Sequence, residues 1–110
     1  MSYNIFPTNR FEKELKKLSK KFPSLKYEYA NLISEISENP ELGTDLGNHC
    51  HKIRISIASK GKGKRGGARV IIYVYIESKS VYLLTIYDKG EKSDIKTNEL
   101  KEIIKSLDLD

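Results

Sequence analysis

The sequence predicts an α+β fold: a two-helix hairpin packed on a twisted, mainly antiparallel sheet of three to four strands, followed by a C-terminal helix. Three observations predict it. Apolar residues recur at helical spacing from Phe11 to Ile36, alternate at a period of two from Ile53 to Tyr87, and return to helical spacing from Leu100 to Leu107. A length of 110 residues fits a single domain spanning 1–110.

Tyr3 to Phe6, closed by Pro7, reads as an edge strand or an ordered arm. Asn9 with Glu12 has capping-box spacing, and Phe11, Leu15, Leu18 and Phe22 then form one stripe of a helix that ends before Pro23. Ser24 opens a second helix with Leu25, Tyr29, Leu32, Ile33 and Ile36 inward, stopped by Asn39 and Pro40. In the first strand Ile53, Ile55 and Ile57 alternate with Lys52, Arg54 and Ser56; the second runs from Arg69 to Ile76. After a turn at Glu77 to Ser80, the third divides into Tyr82, Leu84 and Ile86 against Val81, Leu83, Thr85, Tyr87 and Lys89. Thr97 caps the last helix. Short links make these strands antiparallel neighbours, with one face covered by helices and the other left for solvent or ligand.

The net charge of +5 understates a local field. Between Cys50 and Val70 lie Lys52, Arg54, Lys60, Lys62, Lys64, Arg65 and Arg69, with no acidic residue among them. Such a patch is the footprint of a nucleic-acid binder. If Ile53, Val70 and Leu84 mark the covered face, then Lys52, Arg54, Arg69, Tyr73, Tyr75, Tyr87 and Lys89 share the open one. Lys52 and Arg54 then stand about 7 Å apart, suited to flanking one phosphate. Tyrosine rings are stacking platforms for unpaired bases, so the expected ligand is single-stranded. Tyr73 and Tyr75 have a plainer reading as filling for a small second core under the last helix.

Other motifs carry less. Gly61-Lys-Gly-Lys-Arg-Gly66 matches GxGxxG, but a β-branched strand follows where a dinucleotide site needs a helix. A Walker loop fails too, with Gly67 and Ala68 where lysine and serine or threonine belong. The better reading lays Lys60, Lys62, Lys64 and Arg65 along an RNA backbone. His49, Cys50 and His51 fall short of a metal site, because the chain has no other histidine or cysteine, and parity puts both histidines with Ile53. No metal or other cofactor is expected. The single cysteine forms no internal disulfide, and no apolar run has the length of a membrane span. Ser2 to Asn9 lack the features of a secretory signal, so the expected location is cytoplasmic, without a membrane partner.

Taken together, Lys52 to Arg54, Lys60-Gly-Lys-Gly-Lys-Arg-Gly-Gly67, Arg69-Val-Ile-Ile-Tyr73, Tyr82-Leu-Leu-Thr-Ile-Tyr-Asp-Lys89 and Glu91-Lys-Ser-Asp94 resemble the RelE/HigB toxins of type II toxin-antitoxin systems. With the helix pair and Asn39-Pro40-Glu-Leu-Gly43, the resemblance takes in nearly the whole chain. It implies an endoribonuclease (an mRNA interferase) that cleaves messenger RNA, usually on a translating ribosome, and is held inactive by a cognate antitoxin. Cleavage without a metal needs a base for the 2′-hydroxyl, charge stabilisation at phosphorus and an acid for the leaving 5′-oxygen. Lys52 or Lys89 is the expected base, favoured by neighbouring cations. Arg54 and Arg69 stabilise the phosphorane, and Tyr87 or Arg65 is the acid. By resemblance, Lys52, Arg54 and Arg69 fall where RelE toxins carry functional cations. Gly90 and Lys96 depart from relatives that have arginine and tyrosine there. Two other readings are a ParE-like toxin that inhibits DNA gyrase without cutting RNA, and a plain single-stranded RNA-binding module.

Overall fold

Thr8 sets the start of the first helix. Its Oγ1 accepts the Phe11 N–H at 3.2 Å and donates to the Leu83 carbonyl at 2.9 Å, so one hydroxyl both caps the helix and ties it to a strand. The cap therefore lies one residue before the Asn9 expected from capping-box spacing. In this computed structural model, which describes residues 2–60 and 66–107, helix α1 runs Asn9–Lys21 and α2 runs Leu25–Glu38. Phe22 and Asn39, both non-helical, end them just before Pro23 and Pro40. Ser24 precedes α2 but spends its hydroxyl on Glu28 and Ser59.

Among the described residues five strands form one sheet: β1 (Asn4–Pro7), β2 (Thr44–Gly47), β3 (Cys50–Ile55), β4 (Ala68–Tyr75) and β5 (Ser80–Asp88). Their order is β1-β5-β4-β3-β2, with β1 parallel to β5 and every other pair antiparallel. Helix α3 covers Thr97–Lys105, and Lys96 occupies its cap position with no side-chain capping bond.

The sheet has one strand more than the upper expectation. The extra one, β2, is four residues of mixed polarity and carries no alternation to detect. It reaches β3 through a two-residue turn, Asn48–His49, closed by the Gly47–Cys50 pair. Both turn residues have positive φ, 53° and 65°, as a tight hairpin turn demands.

Two cores result. Phe11, Leu18, Leu25, Leu32 and Ile36 of the helical hairpin pack on Ile53, Ile55, Val70, Ile72, Val81, Leu83 and Ile86. On the other face, Leu100 and Ile103 of α3 cover Cys50, Ile71, Leu84 and Tyr87, with Tyr73 and Tyr82 at the margin. The face expected to be open is thus partly covered, and the plainer reading of Tyr73 describes its packing.

Strand β5 departs from simple alternation. Ile71 pairs with Thr85 but Ile72 pairs with Leu83, leaving Leu84 as an extra residue in a bulge. Before the bulge Val81 and Leu83 face the hairpin; after it Ile86 does, while Leu84 lies under α3. The expectation that Leu84 shares the face of Ile53 and Val70 is corrected accordingly. Glu14 of α1 serves the interrupted strand, its Oε1 accepting the Thr85 hydroxyl at 2.6 Å and the Ile86 N–H at 3.2 Å.

Gly67, just before β4, lies hard against the backbone at the end of β3. A Cβ there would collide with the carbonyl oxygen of Ile55 and sit 3.0 Å from the Ser56 Cα. Both obstacles are backbone. Gly67→Ala should therefore cost about 1–3 kcal/mol, read as a lower urea midpoint with an unchanged m-value.

Candidate functional site

Strand register brings three polar side chains into one row. Arg54 of β3 lies opposite Arg69 of β4, which lies opposite Tyr87 of β5. Cross-strand partners share a face, and neighbouring strands are about 4.8 Å apart. Two guanidinium groups side by side repel, an arrangement that an anion between them relieves. Arg54 is exposed, whereas Arg69 is only 4% accessible and donates through Nη1 to the Ala68 carbonyl at 3.1 Å. The expectation of an open-face Arg69 is corrected to this extent: it forms the floor of the site, not its rim.

Tyr87 is also sunk, at 7% accessible. Burial, with the Asp94 carboxylate as the next cause, pushes its phenol up to about 12, so it stays protonated through neutral pH. Lys52 stands one pleat from Arg54 and points to the same place. The Oδ1 atom of Asp94 accepts from Lys52 Nζ at 3.3 Å, from the Tyr87 hydroxyl at 3.4 Å and from the Ile95 N–H at 2.9 Å. These donors, the Ile95 N–H first, hold Asp94 below the usual carboxylate range. One exposed carboxylate thus sits where two candidate catalytic groups converge.

Lys89 folds back at the end of β5, its Nζ bonding the Ser93 carbonyl at 2.8 Å. Lys92, which sequence reasoning did not single out, places its Nζ 5.5 Å from the centre of the Tyr87 ring and bonds Glu99 at 2.7 Å. No periodicity marks a loop residue of this kind. Only the return of the chain from β5 to α3 brings it to the row.

The remaining expected residues lie elsewhere. Lys60 does not reach outward: its side chain is 9% accessible, bonds Asp88 and packs 5.3 Å from the Phe22 ring, on the hairpin side. Burial favours protonation of Asp88, but the Lys60 bond, the Gly90 N–H and Lys21 outweigh it, leaving the carboxyl below its ordinary value. Lys62, Lys64 and Arg65 lie outside the described residues. Tyr73 is four positions along β4 from Arg69, about 13 Å away, with Ile71 and α3 between.

The histidines are split. His49 does not side with Ile53; its left-handed turn conformation carries the ring against Tyr73, centroids 5.8 Å apart. His51 pairs with Ile72, and its buried Nδ1 finds no hydrogen-bond partner among the described residues. Cys50 is buried, and its thiol is pushed up to about 12, chiefly by burial. Among the described residues no group of three His, Cys, Asp or Glu is placed to hold a metal ion, and no helix is long and apolar enough to cross a membrane.

Comparison with known proteins agrees with this architecture. Residues 3–107 match the family model described as the RelE toxin of the RelE/RelB toxin-antitoxin system. A mutant of the E. coli toxin RelE in the free state is similar at 18% identity and a TM-score of 0.65, covering 97% of this chain and 99% of that one. The toxin-antitoxin complex RelBE2 from Mycobacterium tuberculosis gives 20% identity and a TM-score of 0.58, covering 80% and 92%. The intact E. coli RelBE complex gives 20% and 0.60, covering 79% and 96%.

Two outcomes follow from the charge arrangement. Asp94→Asn removes a negative charge that opposes the phenolate, so the Tyr87 titration should move down from about 12 in tyrosine carbon NMR spectra; an unmoved titration would mean that burial alone sets it. Lys60→Met leaves Asp88, itself 4% accessible in its side chain, with Lys21 at 3.8 Å as its one cationic partner among the described residues. The loss should be about 3–5 kcal/mol at pH 7. Because the Asp88 carboxyl is held below its unfolded value, its stabilisation is present above that value and disappears as pH falls through the folded one. The gap between wild type and variant should therefore narrow in acid.

Proposed function

The chain belongs to the RelE toxin family, and on that premise we propose that it is an endoribonuclease that cleaves messenger RNA on the translating ribosome and is neutralised by a cognate antitoxin in the cytoplasm. The observation that carries this reading is the Arg54–Arg69–Tyr87 row with Lys52 beside it. The residues supply each group that phosphodiester cleavage requires. Lys52 or Lys89 takes the proton of the 2′-hydroxyl, whose oxygen attacks phosphorus. Arg54 and Arg69, permanently charged, meet the negative charge that builds on the phosphorane oxygens. The bond to the 5′-oxygen breaks, and that oxygen receives a proton from Tyr87, leaving a 2′,3′-cyclic phosphate and a 5′-hydroxyl.

Geometry supports this division of labour. Arg69 is buried and held by a backbone carbonyl, so it is pre-positioned and needs no reorganisation when charge develops. The Tyr87 phenol remains a proton donor at neutral pH. Asp94 must yield its place at Lys52 to the incoming phosphate, which favours a substrate with enough further contacts to drive the exchange. Two of the similar solved structures are toxin-antitoxin complexes, which supports a protein antitoxin as partner here. An acidic segment laid across the cation row would neutralise it.

The test is direct. Purified protein is incubated with translating ribosomes and messenger RNA, and new 5′ ends are mapped. Wild type should produce site-specific cuts, and Lys52→Ala and Arg54→Ala should each slow cutting by about 10²–10³-fold. Intact message accompanied by gyrase inhibition would overturn the reading in favour of a ParE-like poison, and RNA binding without cuts would reduce it to a passive module.

A further inference from the structure

A pocket lies on the α3 side of the sheet, at the end away from the cation row. It has a volume of about 340 Å³ and is lined by Asn48, His49, Tyr73, Lys101, Ile104 and Lys105. No carboxylate among the described residues lines it. We propose that this pocket is a subsite for one nucleotide of the single-stranded RNA, flanking the cleavage site; the inference rests on the ribonuclease reading above.

Three kinds of group match three parts of a nucleotide. Tyr73 and His49 stand 5.8 Å apart at an interplanar angle of 66°, forming a corner whose faces accept a planar base. The Asn48 amide offers both a donor and an acceptor to a base edge. Lys101 and Lys105 are exposed, one helical turn apart on α3, and so project side by side to meet the phosphate on the ribose of that nucleotide. An acidic peptide would use the lysines but not the ring corner.

The backbone supplies an independent indication. Asn48 and His49 form the two-residue turn between β2 and β3, at φ 53° and 65°. At the second position of such a turn glycine is favoured, and a histidine pays for its side chain with backbone strain. The strained residue is the one whose ring makes half of the corner. Strain of this kind at a ligand-facing position points to a use for the side chain.

The position suits a strand that also reaches the row. Tyr73 and Arg69 are about 13 Å apart along β4, within the span of a strand of four or more nucleotides. A dinucleotide held at Arg54 and Arg69 would not reach Tyr73.

The experiment separates the turn from the subsite. Binding is measured by fluorescence anisotropy with a 2′-O-methyl RNA octamer and by NMR with a 2′-O-methyl dinucleotide, neither of which can be cut. His49→Gly should leave the melting temperature unchanged or raise it, weaken octamer binding by about tenfold and leave dinucleotide binding unaltered. The double variant Lys101→Gln, Lys105→Gln should keep the fold by circular dichroism and lower the log-log salt slope for the octamer by about 1.4. Octamer binding and salt slope unchanged in these variants would overturn the subsite while leaving the nuclease reading standing. A wild type that neither binds the octamer nor cuts message would remove that reading itself, and the subsite with it. Loss of binding to a polyglutamate peptide, with the octamer unaffected, would reassign the pocket to an acidic protein segment and overturn the proposal.

Discussion

The geometry of the cation row depends on one extra residue in β5. Side chains alternate strictly along a strand, so the face that Val81 and Leu83 take would be handed on to Tyr87 if β5 were regular. Leu84 interrupts the count. Ahead of it the odd-numbered residues fill the hairpin core; beyond it Ile86 fills that core and Tyr87 turns toward α3, into line with Arg69 and Arg54. The bulge would be costly if its freed polar groups were left unpaired in a buried strand. Glu14 of α1 and its cap residue Thr8 answer that cost, taking the Ile86 N–H and bonding the Leu83 carbonyl. The first helix is therefore cap, core and bulge support at once.

Carboxylates hold this cation-rich face together from its margin. Arg10 bridges Glu14 of α1 to Glu99 of α3, and Glu99 also receives Lys92, the residue stacked on Tyr87. Asp94 completes the set against Lys52. Exposed pairs of this kind add little stability singly. Their effect lies in position, because they fix where α3 begins and which way Lys52 and Lys92 point. The row itself has two adjacent arginines, and compensation from outside lets the folded state hold that arrangement before any ligand arrives.

Much of this was legible in the sequence, and the failures have physical causes. Helix stripes, strand alternation and the shared face of Lys52, Arg54, Arg69 and Tyr87 follow from periods of 3.6 and 2. Yet the placement of Tyr87 was right for an incomplete reason, since the assumed regular β5 put Leu84 on the wrong face and the true strand breaks phase beside it. A bulge has no composition that marks it here, because Leu83, Leu84 and Thr85 are all ordinary strand residues. Lys60 misled differently. A lysine in a glycine-rich cationic run reads as solvent-facing, and only tertiary structure reveals that Asp88 and Phe22 wait for it. His49 was misplaced because parity does not pass through a turn with two left-handed residues. Strand β2 was missed for want of length, and Lys92 for want of any local pattern.

The Lys60 pair has a consequence for how such a protein diversifies. Lys60 bonds both Asp88 and the Gly67 carbonyl, and Gly67 also receives the Lys89 N–H, so the chain leaving β3 and the chain entering β4 are tied at a common neck. Closure entropy changes only slowly with the length of a loop whose ends are fixed. A change in the number of residues between 60 and 67 therefore costs the sheet little. Descendants of this chain are free to rewrite that insert, in length as well as charge, without retuning the sheet on either side of it.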